Sequence, residues 1–165
     1  MAFDTFLKLS GVDGESTRKG FEKQIEILSF SLGASNPTTV GSGSAGLSGG
    51  KVTVSSFNIM KKTDCASPVM FQKLCIGDHF DTANVVLNKA SGEKSSALAF
   101  LKYDFEQVFV ESIQWSGSTG GDDTPTESVS FAFGKVTITY TQQTAGGTAG
   151  KPVVAKYDIQ AVSGE

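Results

Sequence analysis

A glycine-rich loop in the first third of the chain matches two nucleotide-binding patterns as text. Gly41, Gly43 and Gly46 have the spacing of the dinucleotide fingerprint, in which the glycines open a helix that holds a pyrophosphate. Here the same run leads into a predicted strand, which does not suit that chemistry. A phosphate-binding loop is excluded as well, because Ala45 stands where a glycine is needed and Val52 where a magnesium-binding Ser or Thr is needed. The match therefore carries no nucleotide chemistry.

The only histidine, His79, lies between Asp78 and Asp81, and this grouping suggests a metal site. One histidine cannot supply a multi-histidine zinc site, and Cys65 and Cys75 are not spaced as paired ligands. A single histidine also leaves few arrangements for a Ser-His or Cys-His nucleophile. We therefore predict a protein that is not an enzyme, with no catalytic residues, no metal site and no cofactor.

Length and composition are those of one folded domain, predicted to span residues 1–165. Hydrophobic residues make up 39% of the chain and charged residues 19%, values typical of a folded protein rather than a disordered one. The net charge is −3, and no run of Lys or Arg forms a basic patch. These properties argue against nucleic acid and against anionic membranes as partners.

The N-terminal residues and the cysteines indicate the compartment. The chain does not open on a basic region followed by an apolar run, and no apolar stretch approaches the ~20 residues that a membrane helix needs. In a helix, Cys65 and Cys75 would lie about 15 Å apart, too far for a disulfide. We predict two free, partly buried thiols in a reducing compartment, and neither a secretory signal nor membrane insertion.

The clearest strand signal is Thr126–Gln142, where apolar and small polar residues alternate. The apolar positions are odd up to Phe133 and even from Val136 onwards. Because side chains alternate between the faces of a strand, a change of phase needs an extra residue or a bend. We predict a β-bulge or a sharp bend at Gly134 and Lys135.

Other segments show related patterns. The predicted strands 25–32 and 51–61 also change phase, and two further strands are predicted at 98–105 and 108–116. Several strands with phase breaks indicate a sheet that curls strongly, as in a barrel.

One helix is predicted in the middle of the chain. Ser67 is the expected N-cap, with Pro68 at the first helical position, and Asp64 is the alternative cap. Gly77 is the expected C-terminal cap.

Small polar positions recur on one parity of the predicted strands. Two interpretations remain open: a monomeric β-barrel with solvated faces, or a self-assembling β-protein whose surface is covered by neighbouring subunits. The positions are Ser29, Ser31, Thr53, Ser55, Thr137 and Thr139.

Short segments spread along nearly the whole chain occur in the same order as in a known protein family. They are 2–9, 14–16, 25–33, 67–68, 77–80, 89–93, 108–113, 125–127 and 136–140. In these residues the chain resembles the Hcp family (hemolysin-coregulated protein), the tube protein of the bacterial type VI secretion system. The resemblance implies a mainly β fold: a curved antiparallel β-barrel of two sheets with one short α-helix on its side.

The resemblance also implies a function and partners. Family subunits form homohexameric rings that stack into a tube inside a sheath, with a spike protein at the tip and small effector proteins in the lumen. Contraction expels the tube, which implies a cytoplasmic location before firing and secretion without a signal peptide afterwards.

The residues that would serve this function form two candidate sets. The candidate lumen face, which could equally face outward solvent, is Ser29, Ser31, Thr53 and Ser55. The loop from 34 to 50 is too long for a simple connection, so we expect it to contact the next ring or subunit. Its candidate stacking residues are Asn36, Thr39, Val40 and Leu47. The alternatives are a monomeric small-ligand-binding β-barrel and a contractile-phage tail-tube-like protein.

Overall fold

The computed structural model describes residues 3–39, 48–89, 98–121 and 123–164. Strands dominate it, and every strand pair among these residues is antiparallel. The elements are β1 Phe3–Leu9, β2 Ile25–Ile27, β3 Ser29–Ser31, β4 Ala34–Ser35, β5 Thr38–Thr39, β6 Ser48–Gly49, β7 Thr53–Val54, β8 Phe57–Lys62, α1 Ser67–Ile76, β9 His79–Lys89, β10 Ala99–Ser116, β11 Thr126–Gln143, β12 Ala149–Asp158 and β13 Ser163–Gly164.

The main sheet curves back towards its own beginning. Its strand order is β13-β12-β11-β10-β9-β1-β2, and β8 joins it by pairing with both β11 and β3. Leu28 connects β2 to β3, and its N–H donates a hydrogen bond to the carbonyl oxygen of Met60 in β8 at 2.8 Å. The β2 end of the sheet is therefore linked, through β3 and β8, back to the first half of β11. The predicted fold class, mainly β with one short helix, is confirmed.

The phase change in β11 marks a change of partner strand. Residues 126–131 pair with β8, whereas residues 135–143 pair with β12. The predicted bend is therefore present at Gly134. Opposite it, Gln107 has a φ of 54°, a left-handed conformation that is unusual for a residue other than glycine. A Cβ on Gly134 would lie 2.6 Å from Oε1 of Gln107, so the end of the Gln107 side chain packs over this glycine.

The bulge alternative is wrong at this position, because the pairing of β10 with β11 keeps one register across Gly134. The register shifts instead between Val110 and Ser112 of β10. The two strands predicted at 98–105 and 108–116 are one strand, β10, because Gln107 turns the backbone without ending the ladder.

The core of the sheet is filled by aromatic rings. Phe57 in β8 packs against Phe105 in β10 at 4.9 Å between ring centroids and against Phe131 in β11 at 6.3 Å. Phe105 also packs against Phe133 at 4.6 Å. These contacts hold the opposing parts of the curved sheet together.

Helix α1 lies beside β10, where Phe71 packs on Trp115 at 5.6 Å between centroids. The predicted cap at Ser67 is wrong, because Ala66 is the N-cap and Ser67 is the first helical residue. Its hydroxyl is used elsewhere, as described below. Gly77 ends the helix with a φ of 68°, as predicted. Among the residues described, no helix is long and apolar enough to span a membrane.

A buried ion pair joins the two strands that meet at the helix. Nζ of Lys61 in β8 lies 2.6 Å from Oε1 of Glu127, its cross-strand partner in β11, and both side chains are fully buried. Lys61 also donates to Oδ1 of Asp64 at 2.8 Å and to Oγ of Ser67 at 3.0 Å. Ser67 in turn donates to Glu127 at 2.8 Å. The network thus ties the first residue of the helix to both strands.

We expect the substitution Lys61→Met to destabilise the fold by about 3–5 kcal/mol, because it leaves the Glu127 carboxylate buried without its counter-ion. Urea denaturation of the purified chain measures this. Lys62→Met is the matched control, since Lys62 is the exposed neighbour and its loss is expected to change stability by less than about 0.5 kcal/mol. A Lys61→Met variant as stable as the control would show that the pair does not anchor the fold.

Candidate assembly surfaces

Hydroxyl and amide side chains cover the outer side of the sheet formed by β3, β8 and β11. Ser29 and Ser31 flank Phe30, whose ring packs towards the core against Phe57, so both serines point outward and are exposed. Across the ladder Ser31 pairs with Asn58, which pairs with Ser130. We call this surface the serine face, and it consists of Ser29, Ser31, Asn58, Ser128 and Ser130.

Hydrogen bonds fix only part of the serine face. Ser130 donates to Oδ1 of Asn58, and Nδ2 of Asn58 donates to the carbonyl oxygen of Ser56 at 3.1 Å. Ser29 and Ser31 are both exposed at the edge of this network.

The other two candidate lumen residues lie away from this face, in a separate paired ribbon. Thr53 pairs with Ser35, and Oγ of Ser55 accepts a hydrogen bond from the N–H of Gly33 at 2.8 Å. Both Thr53 and Ser55 are exposed. All four predicted residues are exposed, but Ser29 and Ser31 lie in the main sheet, whereas Thr53 and Ser55 lie in the ribbon.

The ribbon itself continues the ladder between β3 and β8. Strand β4 pairs with β7, β5 pairs with β6, and the N–H of Gly50 donates to the carbonyl oxygen of Pro37 at 2.8 Å. We call residues 33–39 and 48–55 the arm. The segment predicted as a long loop is thus a paired ribbon over its described part. Asn36 and Thr39 lie in the arm, whereas Val40 and Leu47 fall outside the described residues.

A surface pocket lies at the opposite end of the same ladder. Leu28, Glu26 and Lys62 contribute to its lining, and its volume is about 360 Å³. Leu28 is 59% exposed, so an apolar side chain lies open at the start of β3. We call this the Leu28 pocket, and its lining is Glu15, Ser16, Glu26, Leu28, Lys62, Thr63, Asp64 and Thr124.

Cys65 lies beside this pocket. Its N–H donates to Oε1 of Glu15 at 3.0 Å, and its Sγ donates to the carbonyl oxygen of Asp13 at 3.2 Å. Partial desolvation raises the pKa of the thiol, and the carboxylates of Asp64 and Glu15 raise it further. Cys65 and Cys75 are free, as predicted, but both are exposed, so the prediction of partial burial is wrong.

Strand β12 is exposed along both of its faces. Val153 is 69% exposed and Val154, its neighbour on the opposite face, is also exposed. One edge of β12 pairs with β11, while among the residues that the structure describes the other edge pairs at Tyr157 and Asp158 alone, with β13. Tyr140, the cross-strand partner of Val153, is exposed too. An apolar strand with two open faces and an open edge is typical of a surface that another chain covers.

The suggested metal grouping does not form a site in the described part of the chain, where no cluster of three or more ligating side chains occurs. The His79 ring packs on Phe109 at 5.3 Å between centroids, and its nitrogens lie 3.5 Å from Asp78 and 3.7 Å from Asp81. The grouping is explained as a surface contact of the first residue of β9.

The architecture agrees with comparisons to known proteins. The family model described as "Type VI secretion system effector, Hcp" matches residues 6–140. The chain is 33% identical over 161 residues to Protein hcp1 of Pseudomonas aeruginosa, covering 97% of each chain. The chain belongs to the Hcp family.

Solved structures of Hcp proteins have the same fold. One described as "Structure of a type six secretion system protein" superimposes with a TM-score of 0.91 at 38% identity, covering 99% of this chain and 100% of the other. Hcp1 from Salmonella typhimurium gives a TM-score of 0.81 at 32% identity, with 100% of both chains covered. As an Hcp-family type VI secretion tube protein, the chain is a structural secretion component.

Three features were not found from the sequence. The burial of Lys61 and Glu127 could have been predicted from the alternation of side chains. Lys61 falls on the same face of its strand as the apolar residues Phe57 and Ile59, and Glu127 on the same face as Val129. The exposure of β12 and the Leu28 pocket had no such signal, because both depend on which strands end up as neighbours.

We expect the alkylation rate of Cys65 to follow a pH profile shifted to higher pH than that of the same cysteine in the urea-unfolded chain. The thiolate reacts, and a raised pKa lowers its fraction at any pH below that pKa. In that range the rate should rise about tenfold per pH unit. Peptide mass spectrometry after timed iodoacetamide labelling measures the profile. Coincident midpoints in the folded and unfolded chains would contradict the electrostatic description of this corner.

Proposed function

We propose that this chain is the subunit of the expelled inner tube of a type VI secretion system. In this proposal it forms homohexameric rings that stack, and the lumen holds small effector proteins until export. Sheath and spike proteins of the system are the other partners. The observation that carries the proposal is β12, an apolar strand with both faces and most of one edge open.

The open strand favours self-assembly because a soluble protein rarely leaves such a surface uncovered. If a copy covers β12 with a different part of its own surface, the contact is heterologous, and repeating it closes a ring when the rotation allows. Membership of the Hcp family supports six subunits per ring, as the resemblance implies.

The serine face suits the lumen that the proposal requires. Ser29 and Ser31 offer exposed hydroxyls, and Met60 adds one exposed apolar side chain among them. Such a neutral surface can hydrogen-bond to many protein surfaces without the strong attraction of a charged one. That chemistry fits a tube that must hold effectors and later release them. Thr53 and Ser55 lie in the arm and are proposed as further lumen residues.

The arm is the proposed stacking element. It is a paired ribbon separate from the main sheet, and Asn36 is exposed on it. We propose that Asn36 and Thr39 of the arm contact the next ring. Val40 and Leu47 are proposed for the same contact on the basis of the sequence alone.

A monomeric ligand-binding barrel is disfavoured by the packing of the interior. Rings of Phe57, Phe105 and Phe131 occupy the space where such a protein holds its ligand. A phage tail-tube protein shares the architecture in general terms, but membership of the Hcp family favours secretion.

We expect Val153→Asp to break the ring, because assembly would bury an unpaired carboxylate at a cost of several kcal/mol. Light scattering after size exclusion should give about six times the chain mass of 17.3 kDa for the wild type and about one chain mass for the variant. Circular dichroism should be the same for both.

The matched control is Ile76→Asp, since Ile76 is 65% exposed at the end of α1 and should keep the wild-type mass. A monomeric wild type at micromolar concentration, or a Val153→Asp variant that keeps the ring mass, would contradict the proposal.

A further inference from the structure

The bend in the β10–β11 hairpin coincides with a strained backbone position. Gln107 has a φ of 54°, in the left-handed region that side chains rarely adopt. Its neighbours Glu106 and Val108 pair with both β11 and β9, whereas both described registers step over Gln107 itself. The bend separates the half of the hairpin that carries part of the serine face from the half that pairs with β12.

A short segment after β12 lies against this bend, and we call its residues 159–164 the strap. The N–H of Ile159 donates a hydrogen bond to the carbonyl oxygen of Gly134 at 2.9 Å. Nε2 of Gln160 donates to Oε1 of Gln107 at 3.0 Å. The strap therefore contacts both residues of the bend, one through its backbone and the other through a side chain.

The strap folds back on β12 in a tight turn. Oδ1 of Asp158 accepts a hydrogen bond from the N–H of Ala161 at 2.9 Å, and β13, at the end of the strap, pairs with Tyr157 and Asp158. Within the turn Val162 has a φ of 53°, which is an outlier for a β-branched residue. Two of the three left-handed residues other than glycine in the described part of the chain therefore lie in the bend and the strap.

Backbone strain on both sides of a small contact is typical of an element with two states. Ile159, Gln160 and Val162 are all exposed, so little buried apolar surface supports the contact. Segments with few buried contacts and solvent-exposed hydrogen bonds open at a low free energy. Opening would relieve the strain at Val162 and release the Gln107 side chain from its position over Gly134.

We propose that the strap opens and closes over the bend and thereby controls the angle between the two halves of the β10–β11 hairpin. With the strap closed, the angle is fixed, and with the strap open, it can change. The angle sets the orientation of β12 relative to the serine face, because Ser128 lies on one side of the bend and the β12 ladder on the other. This device belongs to the single chain and does not require a ring.

Amide exchange at Ile159 measures closure, because this N–H is protected while it donates to Gly134. Mass spectrometry with electron-transfer fragmentation reads the exchange rate at single residues. Gln160→Ala removes the side-chain contact and should raise the rate about fivefold, as expected for the loss of one hydrogen bond. Gln142→Ala is the matched control, since Gln142 is an exposed glutamine of β11, and it should leave the rate unchanged.

Val162→Asn tests the strain, because asparagine adopts the left-handed conformation more readily than valine does. It should slow exchange at Ile159 by about threefold. Gln107→Ala removes the acceptor of Gln160, so Gln160→Ala should have no further effect in that background. An equal effect of Gln160→Ala with and without Gln107 would show that the two side chains do not act together and would overturn the proposal.

Spin labels on the two sides of the bend test the control of the angle. Ser128→Cys and Lys156→Cys, both at exposed positions, would be labelled in a Cys65→Ser and Cys75→Ser background. Dilution with excess unlabelled protein restricts the electron–electron distances to pairs within one chain, whatever the ring mass. We expect one narrow distance distribution with wild-type Gln160 and a broader or second distribution with Gln160→Ala. Identical distributions would show that the strap does not set the angle and would overturn the proposal.

Discussion

The buried ion pair between Lys61 and Glu127 is the constraint on which the remaining structure depends. It fixes two directly paired residues of β8 and β11, so it sets the register of that ladder. Because side chains alternate along a strand, a slip of one residue would turn the serine face inward and Phe57 outward. The same pair holds Ser67, the first residue of α1. One interaction therefore links the register of the β8–β11 ladder to the position of the helix.

The exposed strand β12 contrasts with the densely packed core. The core around Phe57 and Phe105 is dense, yet β12 extends from the second half of β11 with little around it. The bend at Gly134 produces this contrast, because it carries β11 away from β8 and towards β12. The first half of β11 thus helps to complete the core, whereas its second half pairs with β12, the strand proposed to need a neighbour.

The sequence predicted the curvature for a physical reason. A change of phase in the apolar pattern means that a strand changes its partner, which occurs at Gly134 in β11 and at Leu28 between β2 and β3. The pattern could not distinguish a bulge from a bend, since both change which face a side chain occupies. It also misassigned Ser67, because a serine before a proline is typical of an N-cap and its tertiary partner Lys61 is invisible in the sequence.

The assembly surfaces were predictable only in part. The parity that singled out Ser29 and Ser31 agrees with the core-facing ring of Phe30 between them. That this exposed face lines the lumen stays a prediction. Neither the pairing of the arm nor the exposure of Val153 has a local signal, because both arise from strand neighbours distant in the sequence. Residues that contact a neighbouring chain can have an ordinary strand pattern in the sequence. Their role is therefore visible only on the folded surface.

Amide hydrogen exchange in residues 149–158 tests the central claim, that a second copy covers β12, most directly. The wild-type protein would be compared with Val153→Asp at micromolar concentration. The account predicts slow exchange in the wild type, including at amides of β12 that have no partner within the chain, and fast exchange of those amides in the variant. Equally fast exchange in both would mean that β12 stays exposed to solvent and would contradict the account.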